Sequence, residues 1–320
     1  MRVGIAGAGF MSRTHAEEYA DMDVDVVAVS TPSGPEPFID ELGLAAEAYT
    51  DVEEMCEQSD IDYLDICTPT HTHADIVRTA AEADVDIFLE KPIAGTLAEA
   101  REISETVREA ELTCMVGHVV RYMPNYRKAK NLEIGSPGVA RARRLSQFPD
   151  WGSNNWFAQR EKSGGIFVDL AIHDLDYLRW CWGDVERVFA RHHCEEGSEH
   201  ASATLRFENG AVGMVESSWS MPESRPFTNE LELAGDDGLV EFASEDQSPY
   251  GEWTDGESAV KNPVGKNGYR RELEHFVSCL ESGIEADVTV EDATESLRLA
   301  LAAEQSAQSG KPVSPEEVVP

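Results

Sequence analysis

Apolar positions along the chain fall into two textures, with the change near residue 120. Over the first part, apolar runs at residues 2–6, 24–30, 61–67, 87–90 and 113–117 have the length of strands. Between them, residues 13–20, 36–42, 52–58, 74–83 and 97–110 read as helices. This alternation predicts a doubly wound parallel sheet whose ligand sits at the carboxyl ends of the strands. Beyond His118 the pattern loosens. Residues 125–132 and 169–182 read as helices and 139–148 as extended chain. Four or five strand-like runs follow between 185 and 242, with Asn209-Gly210 and Asp237-Gly238 as turn signals. Residues 244–268, rich in Gly, Pro, Asp and Asn, are expected to form an irregular loop. Helices near 270–280 and 291–308 close the chain. The expected class is α/β: a parallel-sheet domain over residues 1–120, then an α+β domain with a largely antiparallel sheet over 121–320.

Composition narrows the function classes. The 320 residues are 41% hydrophobic, the content of globular chains. No apolar stretch is long enough for a membrane span, and Met1-Arg2-Val3-Gly4-Ile5 reads straight into a strand with no signal-peptide pattern. Asp and Glu total 61 against 26 Lys and Arg, a formal net charge of -35. Such a surface repels nucleic-acid backbones and anionic membranes, so neither is an expected partner. The acids are spread along the whole chain and form no tail. They fit a salt-rich cytoplasm, as in halophilic archaea, where the Debye length falls to ~3 Å at 1 M and self-repulsion is screened. The six cysteines include no pair at CxxC spacing, which speaks against zinc and thioredoxin chemistry and for a reducing cytoplasm. No acid–histidine cluster has metal spacing along the chain, and no metal is expected.

Five segments carry chemistry. Gly7-Ala8-Gly9-Phe10-Met11-Ser12 follows the first strand and opens a helix. A dinucleotide turn needs one glycine for the tight bend and one for approach of the pyrophosphate, and a small third residue for helix–strand packing. Gly7, Gly9 and Ser12 fit these roles. A glycine-rich turn alone is weak evidence; its place in an alternating strand–helix pattern strengthens it. At the end of the second strand, Ser30 and Thr31 stand where a carboxylate would bind the ribose 2′-hydroxyl of NAD. Lacking that carboxylate, the site favours NADP over NAD, although no Lys or Arg adjoins it in sequence. The third segment, Thr68-Pro69-Thr70-His71-Thr72-His73, falls in another strand-to-helix loop. Thr70 and His71 are candidates for the nicotinamide-ribose half, and His73 reads as a structural residue. Next, Glu90-Lys91-Pro92 places a scarce lysine at a strand's carboxyl end, where proline restricts its backbone. Finally, Gly164-Gly165 precede a helix in which Asp169 and His173 are four apart, on one face, with Asp176 three further on. The alternatives are a solvated lysine and a solvated acidic helix face.

Together and in this order, these pieces resemble the Gfo/Idh/MocA oxidoreductases, the glucose–fructose oxidoreductase and inositol dehydrogenase group. Arg121-Tyr122-Met123-Pro124, Ser217-Ser218-Trp219, and Tyr269 with Glu272, His275 and Phe276 add to the resemblance, which covers nearly the whole chain. Departures are Ser12 in place of a third glycine and Ser30-Thr31 in place of an acid. The resemblance implies an N-terminal Rossmann domain and a C-terminal sheet domain whose outer face forms a homo-oligomer interface. It implies hydride transfer between a sugar or cyclic polyol hydroxyl and NAD or NADP, with Lys91, Asp169 and His173 at the catalytic positions. The expected cofactor contacts are Gly7, Gly9, Phe10, Met11, Ser30, Thr31, Thr68, Pro69, Thr70, His71, Glu90 and Lys91. Expected substrate contacts are Arg121, Trp156, Asp169 and His173; Trp156 reads equally as a sugar-stacking face or a core anchor.

The residue types suit that chemistry. A histidine titrates near neutrality and takes the hydroxyl proton. An ammonium stabilises the developing alkoxide, and a carboxylate orients the imidazole or binds a neighbouring hydroxyl. Two rivals use the same scaffold: an NAD-dependent glycosidase, and a non-catalytic sugar or cofactor sensor, which would be expected to lack the lysine or histidine. The charge yields a direct test. From dilute buffer to molar salt, the melting temperature is expected to rise as self-repulsion is screened; a melting temperature indifferent to salt removes the high-salt reading.

Overall fold

A computed structural model describes residues 1–149, 159–195, 197–243, 250–254, 257–261 and 267–320. Its described residues divide into two compact units, one holding residues 1–119 and 267–294, the other the remainder from Val120 on.

In the first unit, strands and helices alternate in chain order: β1 (Arg2–Ala6), α1 (Phe10–Tyr19), β2 (Asp25–Ser30), α2 (Glu36–Leu42), β3 (Glu47–Tyr49), α3 (Val52–Gln58), β4 (Tyr63–Ile66), α4 (His73–Glu82), β5 (Asp86–Glu90), α5 (Leu97–Glu109) and β6 (Cys114–Gly117). The six strands form one parallel sheet in the order β3-β2-β1-β4-β5-β6. A parallel sheet is covered on both faces, which is why its strands are nearly continuous apolar runs. Val3, Ile5, Leu64, Ile66, Ile87, Phe88, Leu89, Met115 and Val116 are all fully buried. Helix starts follow from local chemistry. The Asp51 side chain accepts from the Glu53 and Glu54 amides, and Thr96 with Glu99 forms a capping box on α5. α2 ends on Gly43 in the left-handed conformation that glycine adopts without penalty.

The second unit contains α6 (Pro124–Lys130), β7 (Pro137–Leu145), α7 (Arg160–Ser163) and α8 (Ile172–Trp182). Strands β8 (Val185–Glu195), β9 (Ser198–Phe207), β10 (Val212–Ser218), β11 (Thr228–Gly235), β12 (Gly238–Ala243), β13 (Tyr250–Thr254) and β14 (Glu257–Lys261) follow. Eight strands pair in the order β14-β13-β12-β11-β7-β10-β9-β8. Every pairing is antiparallel except β10 with β7. β9 alternates buried and more exposed residues along most of its length, the mark of a sheet with one covered face. α9 (Gly268–Ser282) belongs to the first unit and starts on Asn267, whose side chain accepts from the Arg270 amide. α10 (Val290–Ser309) ends the helical series.

The architecture is the expected one, a Rossmann sheet followed by a mostly antiparallel mixed sheet. Some elements depart from expectation. The segment 244–268, expected as irregular loop, contains paired strands β13 and β14. Tyr250, Trp253 and Val260 are good strand formers, but the surrounding Gly, Asp and Glu obscure their signal.

Candidate functional site

The first unit gathers its candidate residues on one edge. β1, β2, β4 and β5 end at Ala6, Ser30, Ile66 and Glu90, so Gly7, Thr31, the Thr68–His71 loop and Lys91 all issue from carboxyl ends of the parallel sheet. The strand order reverses between β1 and β4, and such a switch point opens the crevice in which doubly wound sheets bind ligands. Gly7 donates its amide to Ser30 O at 2.8 Å, and Cys67 donates to Ala6 O at 2.9 Å, tying the turn to both neighbours. Gly7 has φ +113°, and a Cβ there would meet the Cys67 carbonyl oxygen at 2.8 Å. Gly9 is different: a Cβ at Gly9 would meet nothing within 4 Å. Gly7 is therefore required by the fold, whereas Gly9 leaves open the space at the start of α1 that a pyrophosphate requires. Ser12 is fully buried, as the third small residue of such a turn must be.

A buried polar set fixes α1 to the sheet. Asp65, fully buried in β4, accepts from Tyr19 Oη at 2.9 Å and lies 2.9 Å from His15 Nδ1. Cys67 Sγ donates to its other oxygen at 3.2 Å. Burial alone would lower the His15 pKa; Asp65 and Cys67 together outweigh that effect and hold it well above its ordinary value. Burial pushes the Cys67 thiol up, so this cysteine is no thiolate nucleophile at neutral pH. Asp65 was visible in sequence as an acid inside an apolar strand, a signal the periodicity reading passed over.

His73 is buried at the start of α4 and takes the structural role expected of it. Its Nδ1 lies 3.1 Å from Pro92 O and 3.2 Å from Ile93 O, and its Nε2 3.0 Å from Thr68 O. It thus links the Thr68 loop to the segment after Lys91. Burial lowers its pKa despite these carbonyl contacts, so the ring is neutral near pH 7. Glu90 is buried and accepts the Lys91 amide at 3.1 Å, while Lys91 itself is half-buried. Thr70 is buried and His71 exposed, so His71 is the more accessible of the two. Phe10 is exposed and Met11 half-buried at the mouth of the turn.

At the second strand's end, Ser30 is only 1% exposed, whereas Thr31 is half-buried and Ser33 exposed. The accessible hydroxyls are therefore those of Thr31 and Ser33. A cation missed in the sequence does approach α2. Arg13 lies 5.9 Å over the Phe38 ring and pairs with Glu41 at 2.6 Å.

In the second unit, α8 is preceded by a π turn over Phe167–Ala171. The wider turn breaks the regular spacing, so Asp169 and His173 lie on either side of a π-to-α transition and not on one uniform helix. From Gly165 to Leu178 every residue is buried except Asp169 and His173, which are partly exposed. The supposed acidic face does not exist. Asp174 binds Arg144 at 2.8 and 3.1 Å, and Asp176 binds Arg121 at 2.6 and 2.9 Å and accepts from Ser296 at 2.7 Å. Arg121, expected among the substrate contacts, is 1% exposed and engaged with Asp176. Trp156 lies outside the described residues.

Comparison with known proteins agrees with this geometry. Residues 1–118 match a family described as "Oxidoreductase family, NAD-binding Rossmann fold", and residues 129–314 match its C-terminal alpha/beta domain. The chain is 30% identical to scyllo-inositol 2-dehydrogenase (NAD(+)) of Bacillus subtilis, over 98% of this chain and 96% of that one. It is 29% identical to myo-inositol 2-dehydrogenase of Thermotoga maritima, over the whole of both. A crystal structure of a probable dehydrogenase from Thermotoga maritima superposes with a TM-score of 0.84 at 27% identity, covering both chains fully.

The two glycines separate by stability. Gly7→Ala is expected to lose roughly 1–3 kcal/mol through its left-handed φ, with the carbonyl clash in addition. Gly9→Ala should leave the melting temperature unchanged. Equal destabilisation in thermal melts would contradict the division of roles.

Proposed function

Starting from a chain that belongs to the Gfo/Idh/MocA oxidoreductase family, we propose that it transfers hydride between a sugar or cyclic polyol hydroxyl and a nicotinamide cofactor. The observation that carries this reading is the placement of Gly7, Gly9 and Lys91 on one carboxyl edge of a single parallel sheet. Open space over Gly9 and the amides opening α1 fit a pyrophosphate. Thr31, Thr68, Thr70, His71 and Glu90 line the same edge, with Phe10 and Met11 at its mouth.

When bound, a nicotinamide cofactor would supply the hydride acceptor or donor. His173 takes the hydroxyl proton in the oxidising direction, and the Lys91 ammonium stabilises the alkoxide as it forms. Asp169 orients the imidazole or holds an adjacent hydroxyl. Their partial exposure supports these roles: in a buried stretch, Asp169 and His173 are the polar side chains left accessible. Arg121 supports α8 from its buried side rather than meeting substrate.

Thr31 and Ser33 carry no charge to repel a 2′-phosphate, so NADP is read as bound at least as well as NAD. The six free thiols and the net charge of -35 suit a reducing, salt-rich cytoplasm. The exposed face of the second unit's sheet, crossed by Arg141–Glu232 and Arg143–Glu216 pairs, is read as the surface for self-association. No helix among the described residues is long and apolar enough to cross a membrane.

Lys91→Ala and His173→Ala are expected to lower turnover by ~10²–10⁴-fold at saturating cofactor, the usual worth of positioned acid–base groups. Asp169→Asn should fall in between, because it keeps shape and loses charge. Fluorescence titration should show cofactor affinity changed far less, with NADP binding no weaker than NAD. Near-normal turnover in both alanine variants would refute the assigned residues.

A further inference from the structure

Beneath the glycine-rich turn, polar atoms converge that the proposed reaction does not use. His15 from α1, Glu90 from the end of β5 and Glu272 from α9 place one nitrogen or oxygen atom each within 4.8 Å of the others. His15 Nε2 lies 3.3 Å from Glu90 Oε1. His15 and Glu272 are fully buried and Glu90 nearly so. Among the described residues, neither oxygen of Glu272 has a hydrogen-bond partner, and Glu90 Oε1 and His15 Nε2 also lack one. A buried carboxyl group from a helix near the other end of the sequence is therefore brought beside a buried histidine and a second buried carboxyl group.

Electrostatics restricts how such a cluster can be charged. Two ionised carboxylates in one dry enclosure repel each other, and Glu272 has no donor to offset its desolvation. Glu90, by contrast, accepts the Lys91 amide and faces the His15 ring. His15 is in turn held by Asp65 at its other nitrogen. We propose that Glu272 is a neutral carboxylic acid sharing its proton with Glu90, and that it is a positioning residue for the Glu90–Lys91 backbone. A protonated acid can donate to Glu90, and a neutral Glu272 removes the second negative charge from the enclosure. Burial first, then the Glu90 charge, raises the Glu272 pKa well above 4.5, while His15 opposes and Asp65 adds to the rise.

The positioning role rests on the reading of Lys91 as a reacting group; the protonation state does not. Infrared spectra of the full chain at neutral pH should show the carbonyl stretch of a buried protonated carboxylic acid, and Glu272→Gln should remove it. Linkage gives a second readout. A folded-state pKa raised above the unfolded value means that the folded chain binds the extra proton, so stability is lost as pH rises above about 4.5. Glu272→Gln should flatten the fall in melting temperature between about pH 5 and about pH 8. The slope from His15, whose pKa is also raised, remains in both proteins. In turnover, Glu272→Gln keeps a neutral donor and should stay near wild type. Glu272→Ala should lower kcat by roughly 10- to 10²-fold, the scale on which a displaced reacting group acts, with cofactor Kd nearly unchanged. No protonated-acid band in the wild type, the same band in Glu272→Gln, or one tightly bound divalent metal per chain would overturn the proposal. A correct band with unchanged kcat in Glu272→Ala would overturn the positioning role alone.

Discussion

The Asp65 carboxylate sits at zero exposure in the middle of a parallel sheet, and His15, Tyr19 and Cys67 meet it there. Removing one partner of such a buried pair typically costs about 3–5 kcal/mol, because the other charge is left without compensation. The pair fixes α1 against β4, and α1 begins just after Gly9. The direction in which the α1 amides point is thus set by a contact in the core. His15 also faces Glu90, which holds the Lys91 amide, so the glycine-rich turn and the lysine share one buried anchor.

The second unit uses arginine for the same purpose. Arg144 and Arg121 bind Asp174 and Asp176 with paired hydrogen bonds, fixing α8 through its buried side. Guanidinium forks suit this task because two parallel contacts fix orientation as well as distance. With those acids engaged inward, Asp169 and His173 remain accessible on the π turn and the first turn of α8. In an acidic chain the contrast matters: burial, not residue type, separates the acids that hold the fold from those left partly exposed.

Much of this was legible in the sequence. Largely apolar runs such as the one inside Asp86–Glu90 marked the parallel strands because both sheet faces are covered. The glycine-rich turn and Lys91 were legible because each sits at the end of such a run. β3 was not, since its three residues Glu47–Tyr49 are too few to show a period. The π turn was hidden because sequence spacing assumes a regular helix. The burial of Ser30 and the pairing of Arg121 with Asp176 belong to tertiary packing, which local sequence does not encode. The His15, Glu90 and Glu272 cluster was out of reach of any local pattern, because only the tertiary fold joins a helix near residue 15 to one near residue 272.

The most direct measurement is the absorbance of reduced nicotinamide in purified protein supplied with NAD or NADP and a panel of cyclic polyols and aldoses in high salt. The account predicts that reduced cofactor accumulates in step with oxidation of at least one polyol or sugar hydroxyl. Turnover of a glycoside with no net reduction of cofactor, or no reduction by any member of the panel while cofactor binds, would contradict it.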